Sequence, residues 1–170
     1  MRFGDFLKAT VLLSAGCATL LGTLTVLGIT REDDRTVIYV TAAWWVAATI
    51  YGVVLGRRAE TSAPIARLLA GARAQTMLPE LNPPTTLLNR LWPLLIATIG
   101  ASVAAFVEPQ VASVATGFTI IWALAWRRQH RAVMAIEERD GVRFYVDRTS
   151  PLSPIQLIRT PGFAGNYLPT

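Results

Sequence analysis

The side chains able to do chemistry crowd towards one end of the sequence. Glu137, Glu138, Asp140 and Asp147 fall within a short stretch that also holds Arg139, Arg143 and Arg148. Carboxylates so spaced could present oxygen ligands to a hard divalent cation. The interleaved arginines instead favour a solvated surface of mixed charge. The single histidine, His130, stands among arginines outside the apolar stretches, where it reads as a basic residue and not as the base that serine proteolysis would need. Gly56, Gly71 and Gly141 lack the spacing of a phosphate-binding loop. The reading is of a chain without catalytic activity, cofactor or metal.

Arg127, Arg128 and Arg131, with Arg143 further on, form a basic group directly after an apolar stretch. Such a group fixes topology, and each cation contributes about 1 kcal/mol towards anionic lipid. These four arginines are the candidates for contact with anionic lipid or with a partner's acidic surface.

Four apolar stretches must position these groups. They run about 9–30, 37–56, 91–107 and 111–126, and none contains a charged residue. The chain is 52% hydrophobic and 16% charged, whereas soluble domains carry roughly 25% charged residues. A helix crosses the hydrocarbon layer with about 20 apolar residues. The first two stretches reach that length; the third and fourth are short and rely on Arg90, Trp92, Trp126 and Arg127 to extend into the interface. The fold class expected is an all-α membrane protein. Its four transmembrane helices pair as two antiparallel hairpins, with a short interfacial helix and a mostly irregular cytoplasmic tail. Residues 1–126 make the membrane domain, with a loop at 57–90, and residues 127–170 the extension.

The net charge of +5 does not imply nucleic acid once its placement is considered. Of the 16 Lys and Arg, two precede the first stretch, two lie between the first and second, five fall in 57–90 and seven follow Trp126. None separates the third stretch from the fourth. Cytoplasmic loops carry the positive excess, so both termini and the 57–90 loop are assigned to the cytoplasm of a multi-pass cell-membrane protein. A lone lysine, Lys8, among so many arginines suggests a GC-rich, bacterial genome.

Intramembrane ionisable groups are costly and usually mark pathways; their lack disfavours a proton-coupled carrier or an intramembrane protease. Ser14, Ser102, Ser113 and the threonines are expected to bond helix carbonyls. Small residues mark close helix approach: Gly22 with Ala18 in the first stretch, Ala48, Gly52 and Gly56 on one face of the second, and Ala97 and Ala101 in the third. Ser113 and Gly117 give the fourth a similar patch.

Cys17 reads as a small packing residue. The run Leu13-Ser14-Ala15-Gly16-Cys17 resembles the lipobox of bacterial lipoproteins, which would imply a lipidated cysteine. It departs from that pattern at Ser14 and in an apolar run continuing to Ile29.

In the 57–90 loop, Thr61 or Ser62 is expected to cap a helix carrying Ile65, Leu68, Leu69 and Ala72 on one side. That helix lies either on the lipid surface or against the protein. Pro79, Pro83 and Pro84 are expected to form a stiff connector. After Trp126, residues 132–139 should continue the helix and Val142–Val146 favour a strand. The function expected is an accessory, assembly or scaffold subunit acting through helix packing and a docking tail, with a protein partner or a homo-oligomer in the bilayer. The alternatives are a homo-oligomeric channel or small-solute carrier, and an inner-leaflet lipid-modifying enzyme.

Overall fold

A computed structural model describes residues 1–30, 35–57, 61–75, 83–147 and 154–161. Residues 31–34, Pro79, Arg148 and most of the proline-rich tail lie outside them. The elements in chain order are α1 (Phe3–Ile29), α2 (Arg35–Leu55), α3 (Ala63–Ala70), β1 (Arg73–Ala74), α4 (Pro83–Ala104), α5 (Pro109–Trp126), α6 (Gln129–Asp140), β2 (Val142–Val146) and β3 (Leu157–Pro161). Four helical segments are long and apolar enough to cross a membrane: α1, α2, α4, and α5 with its continuation α6. Large apolar side chains such as Tyr39, Ile50, Ile99 and Phe118 stand exposed along them, as a lipid-facing surface requires. The chain has the character of a multi-pass membrane protein.

The helices do not assemble simply by sequence neighbours. α5 is the central helix and packs extensively on both α1 and α2, while α4 packs less extensively against α1 and α5. Gly28 of α1 abuts Pro109 at the start of α5, and Gly22 faces Thr116, so α1 and α5 run antiparallel. Thr41 meets Ser113 and Gly52 meets Ile121, so α2 runs parallel to α5. α1 and α2 thus each have α5 as main packing partner. Its composition explains this position. Ala112, Ser113, Thr116, Gly117, Thr119 and Ala123 are buried, and their small side chains admit a neighbour on either side.

The third span starts well before the expected Leu91. Pro83 and Pro84 open α4 instead of forming a connector, because the first helical turn needs neither of their missing N–H groups. The helix has 22 residues, about 33 Å at 1.5 Å per residue, which removes the shortfall in length. It ends at Ala104, before the turn at 105–107.

The described part of the tail is not mostly irregular. β2 is the expected strand, and β3 pairs with it antiparallel, aligning Phe144 with Arg159 and Val146 with Leu157. β1 adds to β3 in parallel, giving the order β1-β3-β2. Prolines at 154 and 161 bracket or end β3, leaving the apolar stretch between them free to pair. Gly141, with φ of 62°, turns the chain from α6 into β2 in the left-handed region that glycine enters without strain. Arg2 forms a bridge with Tyr145, and the Val146 N–H donates to the Met1 carbonyl at 3.0 Å. The start of the chain therefore extends the sheet built from its far end.

These elements make a cap over one end of the bundle. Phe3, Phe6 and Leu7 of α1 share its core with Ile65, Leu91, Val133, Phe144 and Leu157. α3 lies against the protein: Ile65 is 1% exposed, and Leu68, Leu69 and Ala72 pack on the same core. Ser62 is its N-cap without a side-chain cap bond; its N–H donates to Gln129 Oε1 of α6 at 3.0 Å.

Candidate functional site

Three regions collect the residues singled out above: the α2–α5 seam, a groove beside α4, and the cap. In the seam, Ala48 is 1% exposed and Gly52 is buried. A Cβ at Gly52 would lie 2.9 Å from Leu124 Cβ and 3.1 Å from Ile121 Cα, and one at Gly56 would run into the Leu124 carbonyl oxygen. Gly117 performs the same service from α5, since a Cβ there would collide with the Trp44 indole. That closeness lets Trp44 Nε1 donate to the Val114 carbonyl at 3.3 Å, and Trp45 Nε1 to the Ser113 carbonyl at 3.0 Å. Each carbonyl has a second lone pair beyond its helical bond. An indole N–H at membrane depth has no water to turn to, so these acceptors are what permit two tryptophans there. Ser113 Oγ also donates to Thr41 Oγ1 at 3.1 Å. The indole signal was present in the sequence, but its acceptors are backbone atoms and carry no residue signature.

The other sequence-selected small residues fall elsewhere. A Cβ at Gly22 would make only ordinary contacts, with Thr116 and with Trp45, which reaches across from α2. Ala101 is buried beside Leu21, Ala105 and Ala112. Ala97 is exposed on α4, where it lines a groove of about 250 Å³ between α1, α4 and α5 with Leu21, Leu94, Thr98, Phe118 and Trp122. Its walls are almost wholly apolar. Thr98 donates to Leu94 O at 2.8 Å and Thr119 to Thr116 O at 2.8 Å, so both hydroxyls turn back to their own helices. Thr10, Ser14, Thr25, Thr49, Ser102 and Thr116 do likewise. Cys17 is buried midway along an unbroken α1, whose start at Phe3, Phe6 and Leu7 is held in the cap core.

In the cap the carboxylates work singly. Asp140 pairs with Arg139 at 2.8 Å on the exposed end of α6. Asp147 lies near enough to Arg90 for their charges to interact. Glu137 is half-buried, and its Oε1 accepts the Phe144 N–H at 2.9 Å. Together with the Met1 carbonyl, it satisfies β2 along the edge that faces away from β3. No group of three or more His, Cys, Asp or Glu able to hold a metal occurs among the described residues. The selected arginines are dispersed: Arg127 and Arg128 sit at the α5–α6 junction, Arg131 on α6 and Arg143 on β2. Arg128 Nη1 reaches the Arg57 carbonyl at 3.4 Å, tying the junction to the end of α2.

Burial raises the Glu137 carboxyl above the usual carboxylate range, aided by Asp5 and Glu138 and opposed by the Phe144 N–H and Arg2. The folded state therefore holds this proton at pH values where the unfolded chain has lost it. Stability linked to Glu137 is fully present below its unfolded pKa and is lost as pH rises through the raised folded value. Replacing Glu137 with Gln is expected to flatten the fall in thermal midpoint with rising pH over the weakly acidic range, as followed by thermal unfolding of the purified protein. An unchanged slope would show that Glu137 is not its source.

Comparison with known proteins returns nothing similar: no family model, no curated protein and no solved structure matches this chain.

Proposed function

We propose that this chain is a non-enzymatic accessory, assembly or scaffold subunit of a bacterial inner membrane. It spans the bilayer four times with both termini in the cytoplasm, and it acts through contact. The cap carries this reading: the first residues of the chain and the β2–β3 pair build one ordered body at one end of the bundle. The arginine-rich segments attach to that same end, which agrees with a cytoplasmic cap. Within the spans, the hydroxyls bonded to their own carbonyls leave helix packing as the main use of those residues. The cap is then the surface a partner meets, and the seam holds the platform beneath it.

Affinity purification of the full chain in mild detergent, followed by mass spectrometry, tests the reading. The expected result is a partner recovered in fixed ratio and lost when Arg131 and Arg143 are both changed to Glu. Recovery of a pure homo-oligomer that conducts ions in a planar bilayer would replace it with the channel reading.

A further inference from the structure

α2 and α5 run parallel and finish together, since Gly56 lies against the Leu124 carbonyl. Arg57 follows α2, while Arg127 and Arg128 follow α5. The Arg128 guanidinium is laid on the backbone of Arg57, with Nη1 donating to the Arg57 carbonyl at 3.4 Å. That bond uses one N–H of the five a guanidinium carries. Arg57 and Arg128 are both exposed, and the Arg127 Nε is enclosed without an acceptor among the described residues. None of the three forms an ion pair among those residues. The C-terminal ends of the two helices carry about −0.5 elementary charge each. Against three cations, that leaves a clear positive excess at one junction.

We propose that the α2–α5 junction binds the headgroup phosphate of one anionic phospholipid of the inner leaflet, through Arg57 and Arg128, with Arg127 adding to the charge. A guanidinium suits phosphate because its planar fork offers two parallel N–H donors. Depth favours a lipid as the source of that phosphate. Tyr51 and Trp122 stand exposed shortly before the two helix ends, where aromatic residues mark the border between hydrocarbon and water. Val54 is exposed one turn before Arg57, and its carbonyl accepts the Arg57 N–H at 3.3 Å. Leu55 beside it is exposed as well. A phospholipid meets these apolar side chains with its acyl chains and the arginines with its head. An acidic protein segment in the cytoplasm would answer only the charge. The site rests on the membrane location and cytoplasmic side proposed above, and on no protein partner.

Native mass spectrometry of the full-length protein, released from detergent containing phosphatidylglycerol or phosphatidylcholine, tests the site. Phosphatidylglycerol is expected to stay bound at one molecule per chain, and phosphatidylcholine to be lost. Arg57→Gln and Arg128→Gln should each weaken phosphatidylglycerol binding about fivefold. That equals about 1 kcal/mol, the contribution of one such cation near anionic lipid. Arg57→Gln is the sharper variant, because it keeps the backbone carbonyl that Arg128 uses. A loss there cannot come from a loosened junction, and it decides the matter if Arg128→Gln fails to fold. Arg131→Gln, at an exposed position further along α6, should leave binding unchanged.

Equal retention of the two lipids would overturn the proposal. So would an equal weakening in Arg131→Gln, which would mark a general surface potential. Displacement of phosphatidylglycerol by inorganic phosphate would assign the arginines to a soluble anion instead. An acidic protein that co-purifies with the chain and is lost in Arg57→Gln, with phosphatidylglycerol binding unaltered, would assign them to that partner. Failure of the protein to float with vesicles would remove the membrane reading and the site together, whereas failure to recover a protein partner would leave the site standing.

Discussion

Gly52→Leu is expected to separate α2 from α5 and to destabilise the protein by about 3 kcal/mol or more, at the upper end of overpacking costs. The added side chain meets Leu124 Cβ and the Ile121 backbone, and a helix backbone cannot rotate aside as a side chain can. Separation would also draw Trp44 and Trp45 from the Val114 and Ser113 carbonyls, stranding two donors in a medium without water. The measurement is the thermal midpoint in detergent, with Trp fluorescence as a second readout. Gly16→Leu is the control, since a Cβ at Gly16 meets nothing within 4 Å; it should leave the midpoint unchanged. Equal effects at the two positions would mean that glycine acts through helix propensity and not through the seam.

Phe144→Ala is expected to cost about 3–5 kcal/mol, as for other large aromatic truncations in packed cores. Phe144 is 3% exposed and shares the cap core with Phe3, Leu7 and Val133. The loss should fall on the cap more than on the bundle, because Phe144 shares its core with the spans only at the end that carries the cap. Limited proteolysis should therefore cleave the cap early while the spans stay protected by the membrane. Co-purification of the partner should fall in parallel. If proteolysis accelerated and the partner were still retained, docking would not run through the cap.

Both expectations depend on features that differ in how far the sequence discloses them. Ala48, Gly52 and Gly56 recur at a spacing of four, and that alone identifies a face for close approach. What approaches it is not encoded locally. α5 fills that place because its own small residues, Ser113 and Gly117 among them, serve α2 while Thr116 and Ala112 serve α1. Likewise the basic run after Trp126 is plain in sequence, and Arg90 reads there only as an interfacial anchor for the short third stretch. That the Asp147 charge acts on it is a matter of tertiary structure. The β3 strand was hidden by its flanking prolines, which bar helix but do not oppose an edge-to-edge pairing once β2 is present to accept it. Pro83 and Pro84 misled in the opposite direction, because a proline ends one helix and begins another with equal ease.

The sequence by itself determined the membrane character, the number of spanning segments and the gathering of charge beside them. Each follows from composition over some 20 residues, since a helix in hydrocarbon must be apolar along its length whatever its neighbours. Only the tertiary structure decided that α5 is central, that the first residues of the chain join the sheet of β2 and β3, and that an apolar groove lies between α1, α4 and α5. Those outcomes depend on contacts between residues far apart in the chain, where packing shape and backbone acceptors decide, and neither has a local signature in residue type.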